Sequence, residues 1–254
     1  MDYKLSWILA LFALGVIYLI VTGIQLELTP KQYVINTYMY LLLGIIISSL
    51  VWTILDEYQI VNYENPITVM KFIGVAILSF ISLFVVLATS KEAYIIKNTA
   101  WSVFMICIGL LTYLTYKINV REGNMKNVVI SLISIVAVLS YIAYTQPLET
   151  FNSWGKPMLY ILGTLIIVEC LDLIFGDHKS INFVTRSKIY SWVCILLFSG
   201  FILYDTQKIL YDANATTELC DSKSQIKCAD YPVASLGLFL DIANLFSSLS
   251  IISR

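Results

Sequence analysis

Eight long apolar runs, separated by short polar breaks, set the pattern of this chain. They cover about 6–24, 33–55, 67–89, 98–118, 127–145, 157–176, 188–211 and 232–252. A helix crosses the hydrocarbon core of a bilayer with roughly 20 mostly apolar residues, so each run predicts one transmembrane helix. The breaks carry turn punctuation: Thr29-Pro30, Asn65-Pro66, Gly123-Asn124, Gln146-Pro147 and Gly155-Lys156-Pro157. Connections are mostly about 8–12 residues long, which leaves no room for a soluble domain between runs. Barrel strands would alternate apolar and polar over about 10 residues. Here the runs are apolar on every side, as from Leu41 to Ser48. In lipid such a run satisfies its own backbone only as a helix. The expected fold is all-α, a polytopic membrane helical bundle. Lys4 ahead of the first run gives it a likeness to a signal peptide. The run is long, however, and no small-residue cleavage site follows Ile24, which favours a retained first helix.

Composition agrees with a lipid environment. Hydrophobic residues make up 59% of the chain and charged residues 13%, about half the charge of an ordinary soluble domain. Too little polar surface exists to cover such a domain in water. Net charge is −1 with no basic tract, so no nucleic-acid partner is expected. The single histidine, His178, falls in a loop, and no Ser/His, zinc-type or HExxH constellation is present. The chain is expected not to be an enzyme and to need no cofactor.

Cys107, Cys170 and Cys194 lie in apolar stretches and read as small buried hydrophobes. Cys220 and Cys228 share the polar stretch 212–230, which also holds the glycosylation-type triplet Asn214-Ala215-Thr216. With eight spans both termini share a side. Lys and Arg divide nine to seven in favour of that side, a slight lean towards cytoplasmic termini. That orientation places 212–230 where Asn214 can be glycosylated and Cys220 and Cys228 can pair.

Charges inside spans are costly, at least about 2.5–3.5 kcal/mol at the bilayer centre, and so carry the most information. Four acids stand out: Glu169, Asp172, Asp205 and Asp241. Helix seven ends near Tyr211, which puts Asp205 about 9 Å inside the far membrane edge. Helix eight starts near Pro232 from the same edge, which puts Asp241 about 14 Å inside. Helices joined by one loop are usually neighbours, so two carboxyls can meet at similar depth in one hairpin. Out of water such a pair shares a proton and titrates as a unit. Its deprotonated form attracts a cation or a basic side chain. Two carboxylates are a sparse cage, suited to transient Ca²⁺. Ser199, Gly200, Tyr204, Thr206 and Gln207 around Asp205, and Asn244, Ser247 and Ser248 around Asp241, extend a polar seam. Asn244 at i+3 and Ser248 at i+7 are expected on the Asp241 face. The competing reading is that these acids only join helices through hydrogen bonds. Glu169 is a deeper pathway acid without an evident partner, and Asp172 is expected to reach the interface beside Asp177.

Two segments carry a family resemblance. Phe198-Ser199-Gly200-Phe201-Ile202-Leu203-Tyr204-Asp205-Thr206-Gln207 resembles the signature of the transmembrane Bax inhibitor motif family. Ala234-Ser235-Leu236-Gly237-Leu238-Phe239-Leu240-Asp241-Ile242-Ala243-Asn244-Leu245-Phe246 resembles that family's last helix. Weaker similarity runs from Tyr33 to Gly44, including Thr37-Tyr38 and Leu43-Gly44. The resemblance implies a seven-helix domain over 31–254 with a central last helix, preceded by an extra transmembrane helix within 1–30. It implies a pH-sensitive Ca²⁺ leak with effects on cell death, sensed by the aspartates that match Asp205 and Asp241. The family sensor also uses an arginine from its second helix. Residues 67–89 contain none, and Lys91 is the nearest basic residue, without a guanidinium's bidentate fork. The family's loop between its last two helices is cytosolic, which would leave Asn214 unmodified and Cys220 and Cys228 reduced.

The expected activity is thus a Ca²⁺-permeable leak or channel-like regulator gated by Asp205 and Asp241. The alternative is a non-conducting scaffold that keeps the fold and binds partners. Expected partners are the bilayer and membrane proteins of the cell-death machinery or of a virion. An ER- or Golgi-like membrane, the plasma membrane or a virion membrane would each suit. Abundant Ile, Asn, Lys and Tyr hint at an AT-rich genome such as that of a protist or large DNA virus.

Overall fold

The computed structural model describes residues 4–58, 66–175, 181–220 and 225–253; His178 and Asp177 lie outside the described residues. The described secondary structure is helical throughout, with no strand. The helices are α1 (Lys4–Gln25), α2 (Pro30–Glu57), α3 (Pro66–Ala88), α4 (Tyr94–Glu122), α5 (Met125–Thr145), α6 (Gly155–Phe175), α7 (Ile181–Leu219), the short α8 (Gln225–Cys228) and α9 (Tyr231–Ile252), with a 3₁₀ turn at Asn152–Trp154. Eight of them are long and apolar enough to cross a membrane, and they correspond to the eight apolar runs.

Local chemistry sets the helix ends. Thr29 caps α2, its Oγ1 accepting the amide of Gln32 at 3.1 Å, and Pro30 takes the first turn, where no amide is needed. Gly123 ends α4 with φ of 74°, and the Asn124 amide reaches back to the Asn119 carbonyl at 3.0 Å. This is the left-handed closure that glycine permits. Asp230 precedes α9 and accepts the amide of Val233 at 3.4 Å.

One expectation needs correction. The seventh helix begins at Ile181 and ends at Leu219, well beyond 188–211 at both ends. No proline lies between residues 181 and 219 to stop it, and hydropathy marks only the part of a helix that faces lipid. Residues 212–219 are therefore helical. Asn214 sits half-buried on α7, and Ala213 beside it is 1% exposed. The loop placement on which the glycosylation reading depended does not hold.

The chain divides into two compact units. The first comprises Met1–Ile118 with Asp212–Phe239. In it α1 packs on α2, and glycines bring α2 and α4 together. A Cβ on Gly109 would meet Ser48 Cα and Val51 Cβ at 3.0 Å, while one on Gly44 would meet Met105 Sδ at 2.9 Å. Trp52 Nε1 donates to the Gly109 carbonyl at 2.9 Å, and its ring stacks on Tyr116. Close backbone approach of this kind replaces the hydrophobic drive that lipid removes.

The second unit comprises Asn119–Tyr211 with Leu240–Arg254. Met158 of α6 packs with Leu197, Phe198 and Phe201 of α7. Gly155 lies against the Tyr204 ring, where a Cβ would come within 2.6 Å, and Gly200 lies against Met158 Sδ. Asn119 Nδ2 donates to Ser250 Oγ at 2.7 Å, and Asn124 Nδ2 donates to the Ser253 carbonyl at 2.9 Å, tying the end of α9 to the start of α5.

Candidate functional site

Asp205 and Asp241 both belong to the second unit. Asp241 is only 5% exposed on α9, and its carboxyl is in electrostatic and hydrogen-bonding contact with that of Asp205 on α7. Its Oδ2 has no hydrogen-bond partner among the described residues. Two carboxyls held close, one of them buried, resist ionising together. Among the described residues no group of three or more His, Cys, Asp or Glu side chains gathers to hold a metal.

The polar seam is shorter than the sequence predicts. Ser248 is buried on α9, near the Cys194 thiol of α7. Ser199 is half-buried on α7. Asn244 is exposed, and its amide donates to the Leu240 carbonyl one turn back at 2.8 Å. The expectation that it shares the Asp241 face is thus corrected. Position i+3 lies about 60° off the face, and bonding to its own helix removes the need for a partner. Gln207, 4% exposed, points to the α5–α6 connection. It accepts the Phe151 amide at 2.9 Å and donates to the Pro147 carbonyl at 2.8 Å. Tyr204 packs on Gly155. These two conserve the shape of the unit around Asp205, while Thr206 Oγ1 lies 3.4 Å from Ser140 Oγ.

Asp172 finds a partner in Arg186, whose Nη1 lies 2.9 Å from its Oδ1. The pair joins the end of α6 to the start of α7. Glu169 is on the outer surface of α6. Lys91 is exposed, and its ammonium donates to the Cys228 carbonyl at 3.0 Å. Cys220 and Cys228 are joined in a disulfide.

Sequence reasoning missed three features. Arg186 could have been read as the base facing Asp172 across one connection. Lys97, 3% exposed, pairs with Asp230 at 2.5 Å in the first unit, an uncommon depth for a lysine. A buried network of Asn36, Gln225 and Tyr231 joins parts of the chain far apart in sequence.

Eight helices long and apolar enough to cross a membrane define a polytopic α-helical membrane protein. Residues 30–253 match the family model described as inhibitor of apoptosis-promoting Bax1, and the chain belongs to the Bax inhibitor family. Helix α1 lies outside the matched residues. The chain is also similar to the growth hormone-inducible transmembrane protein of Rattus norvegicus, 32% identical over 113 residues. That stretch covers 44% of this chain and 31% of the rat protein, so the chain spans about a third of this curated relative.

Proposed function

We propose that this Bax inhibitor family protein is a proton-sensitive Ca²⁺ leak, or a channel-like regulator of cell death, controlled by Asp205 and Asp241. The observation that carries this reading is the contact between the two carboxyls, with Asp241 buried. When the pair holds a proton its charge falls and a cation has little reason to enter. When the proton leaves, two carboxylates out of water bind a hard divalent cation in its place. Proton and Ca²⁺ thus compete for one site. An ER- or Golgi-like membrane, the plasma membrane and a virion membrane are all settings in which such a leak can act.

The test is Ca²⁺ flux from proteoliposomes across a pH series. Flux is expected to rise as the pair deprotonates, and Asp205→Asn and Asp241→Asn are expected to flatten the pH profile. Wild-type flux independent of pH, or unchanged in both variants, overturns the reading. A protein that folds and reaches the membrane without conducting supports the scaffold alternative. Its partners would then be membrane proteins of the cell-death machinery or of a virion.

A further inference from the structure

Four aromatic rings of the first unit meet in one buried nest. Tyr33 and Tyr40 of α2 are each 3% exposed, Tyr231 of α9 is 2% exposed and Trp101 of α4 is 1% exposed. The Tyr40 ring stands edge-on to Trp101 at 5.4 Å between centroids and stacks on Tyr231 at 5.8 Å. Tyr33 adds the fourth ring, 5.4 Å from Tyr231. Such contacts enclose Tyr40 in ring carbon on more than one side.

One hydroxyl leads out of the nest. Tyr40 Oη lies 2.9 Å from Tyr94 Oη and donates to Asn98 Oδ1 at 2.9 Å. Tyr94 is the first residue of α4 and is half-buried, at the end of a spanning helix where tyrosine rings sit among lipid headgroups. Asn98 is fixed in turn, its Nδ2 donating to the Tyr94 carbonyl at 2.8 Å. An amide oxygen accepts a hydrogen bond but is too weak a base to take a phenol's proton. The carboxylate at the start of α9, Asp230, is engaged by Lys97. Loss of an electron alone would therefore leave Tyr40 charged in an apolar interior, which is costly. Exchange of a whole hydrogen atom with Tyr94 leaves both rings neutral.

We infer that Tyr94 and Tyr40 form a hydrogen-atom relay that carries the oxidising equivalent of a lipid peroxyl radical from the membrane interface into the aromatic nest. In the first step the peroxyl oxygen takes the hydroxyl hydrogen of Tyr94. The phenolic O–H breaks, the O–H of a lipid hydroperoxide forms, and the unpaired electron passes to Tyr94. In the second step Tyr40 gives its own hydroxyl hydrogen across the contact with Tyr94. The Tyr94 O–H is restored and the radical rests on Tyr40. One proton and one electron move together each time, so no charge is created. Burial then keeps the Tyr40 radical from lipid chains and from coupling with another ring. A hydrogen-atom donor of the ascorbate class resets the dyad through Tyr94 by the reverse exchange.

Electron paramagnetic resonance of the full chain in polyunsaturated phosphatidylcholine vesicles, treated with a lipid-soluble azo initiator, tests the relay. Wild type is expected to show a neutral tyrosyl radical that outlasts the lipid radicals once the initiator is spent. Tyr40→Phe and Tyr94→Phe, which each remove one hydroxyl, are expected to lose this long-lived signal. Tyr144→Phe, a change at a ring 67% exposed, is expected to keep it. Absence of a long-lived tyrosyl signal in wild type overturns the relay without reliance on any variant. A signal that persists in Tyr40→Phe overturns Tyr40 as its resting place, and one that persists in Tyr94→Phe overturns the transfer between the two.

Discussion

Arg186 closes on Asp172 at 2.9 Å, pinning the second turn of α7 to the last turn of α6. The aspartate side chain is 17% exposed and the arginine 38%, so the pair sits between a surface bridge and a buried one. Exposed pairs contribute about 0–1 kcal/mol, while breaking a buried pair costs about 3–5 kcal/mol. Arg186→Met is expected to destabilise by about 1–2 kcal/mol, on that interpolation. A double-mutant cycle with Asp172→Asn, read by thermal unfolding in detergent, should show coupling. Additive effects would mean that the contact contributes nothing.

Gly109 and Gly200 give a graded prediction. At Gly109 the nearest atoms to an added Cβ include Ser48 backbone at 3.0 Å, which cannot move aside. At Gly200 the neighbour is Met158 Sδ, the flexible end of a thioether chain. Overpacking typically costs about 1–3 kcal/mol. Gly109→Ala should therefore fall near the top of that range and Gly200→Ala near the bottom. Equal losses in melting temperature would contradict the assignment of rigid and yielding neighbours.

Gln207 has an amide that leaves the Phe151 N–H and the Pro147 carbonyl unpaired when removed. Each orphaned buried group costs about 1–3 kcal/mol. Gln207→Leu is expected to destabilise by at least about 2 kcal/mol on that basis, with increased proteolysis between residues 146 and 154. Cleavage and stability matching wild type would remove Gln207 from its role in holding that connection.

The disulfide also makes a prediction about orientation. Disulfides persist in oxidising compartments, so the α7–α9 connection is expected there, with both termini on the cytosolic side. A membrane-impermeant maleimide applied to the outer or lumenal face after reduction should label Cys220 and Cys228. Labelling only from the cytosolic face would reverse the orientation and leave the ring reduced in the cell.

The eight spans are legible because lipid imposes one direct demand, an apolar run of sufficient length. Asp205 and Asp241 are legible for the complementary reason. Charge inside such a run is expensive, and two depths can be compared by counting residues. The ends of α7 are not legible, since a polar helical turn from Asp212 to Glu218 has the composition of a loop. The Asn36–Gln225 bond spans 189 positions between uncharged amides and leaves no periodic trace. Asn244 shows the limit of face arithmetic, because spacing alone does not tell that an amide bonds to its own helix.

At 39 residues, α7 is a rod about 58 Å long, nearly twice the roughly 30 Å hydrocarbon slab. Its two ends are polar, from Thr185 to Lys188 and from Asp212 to Glu218. The C-terminal end is not a free stalk, for Ala213 is only 1% exposed. The segment that carries Asp205 is thus continuous, within one helix, with a polar turn at each end.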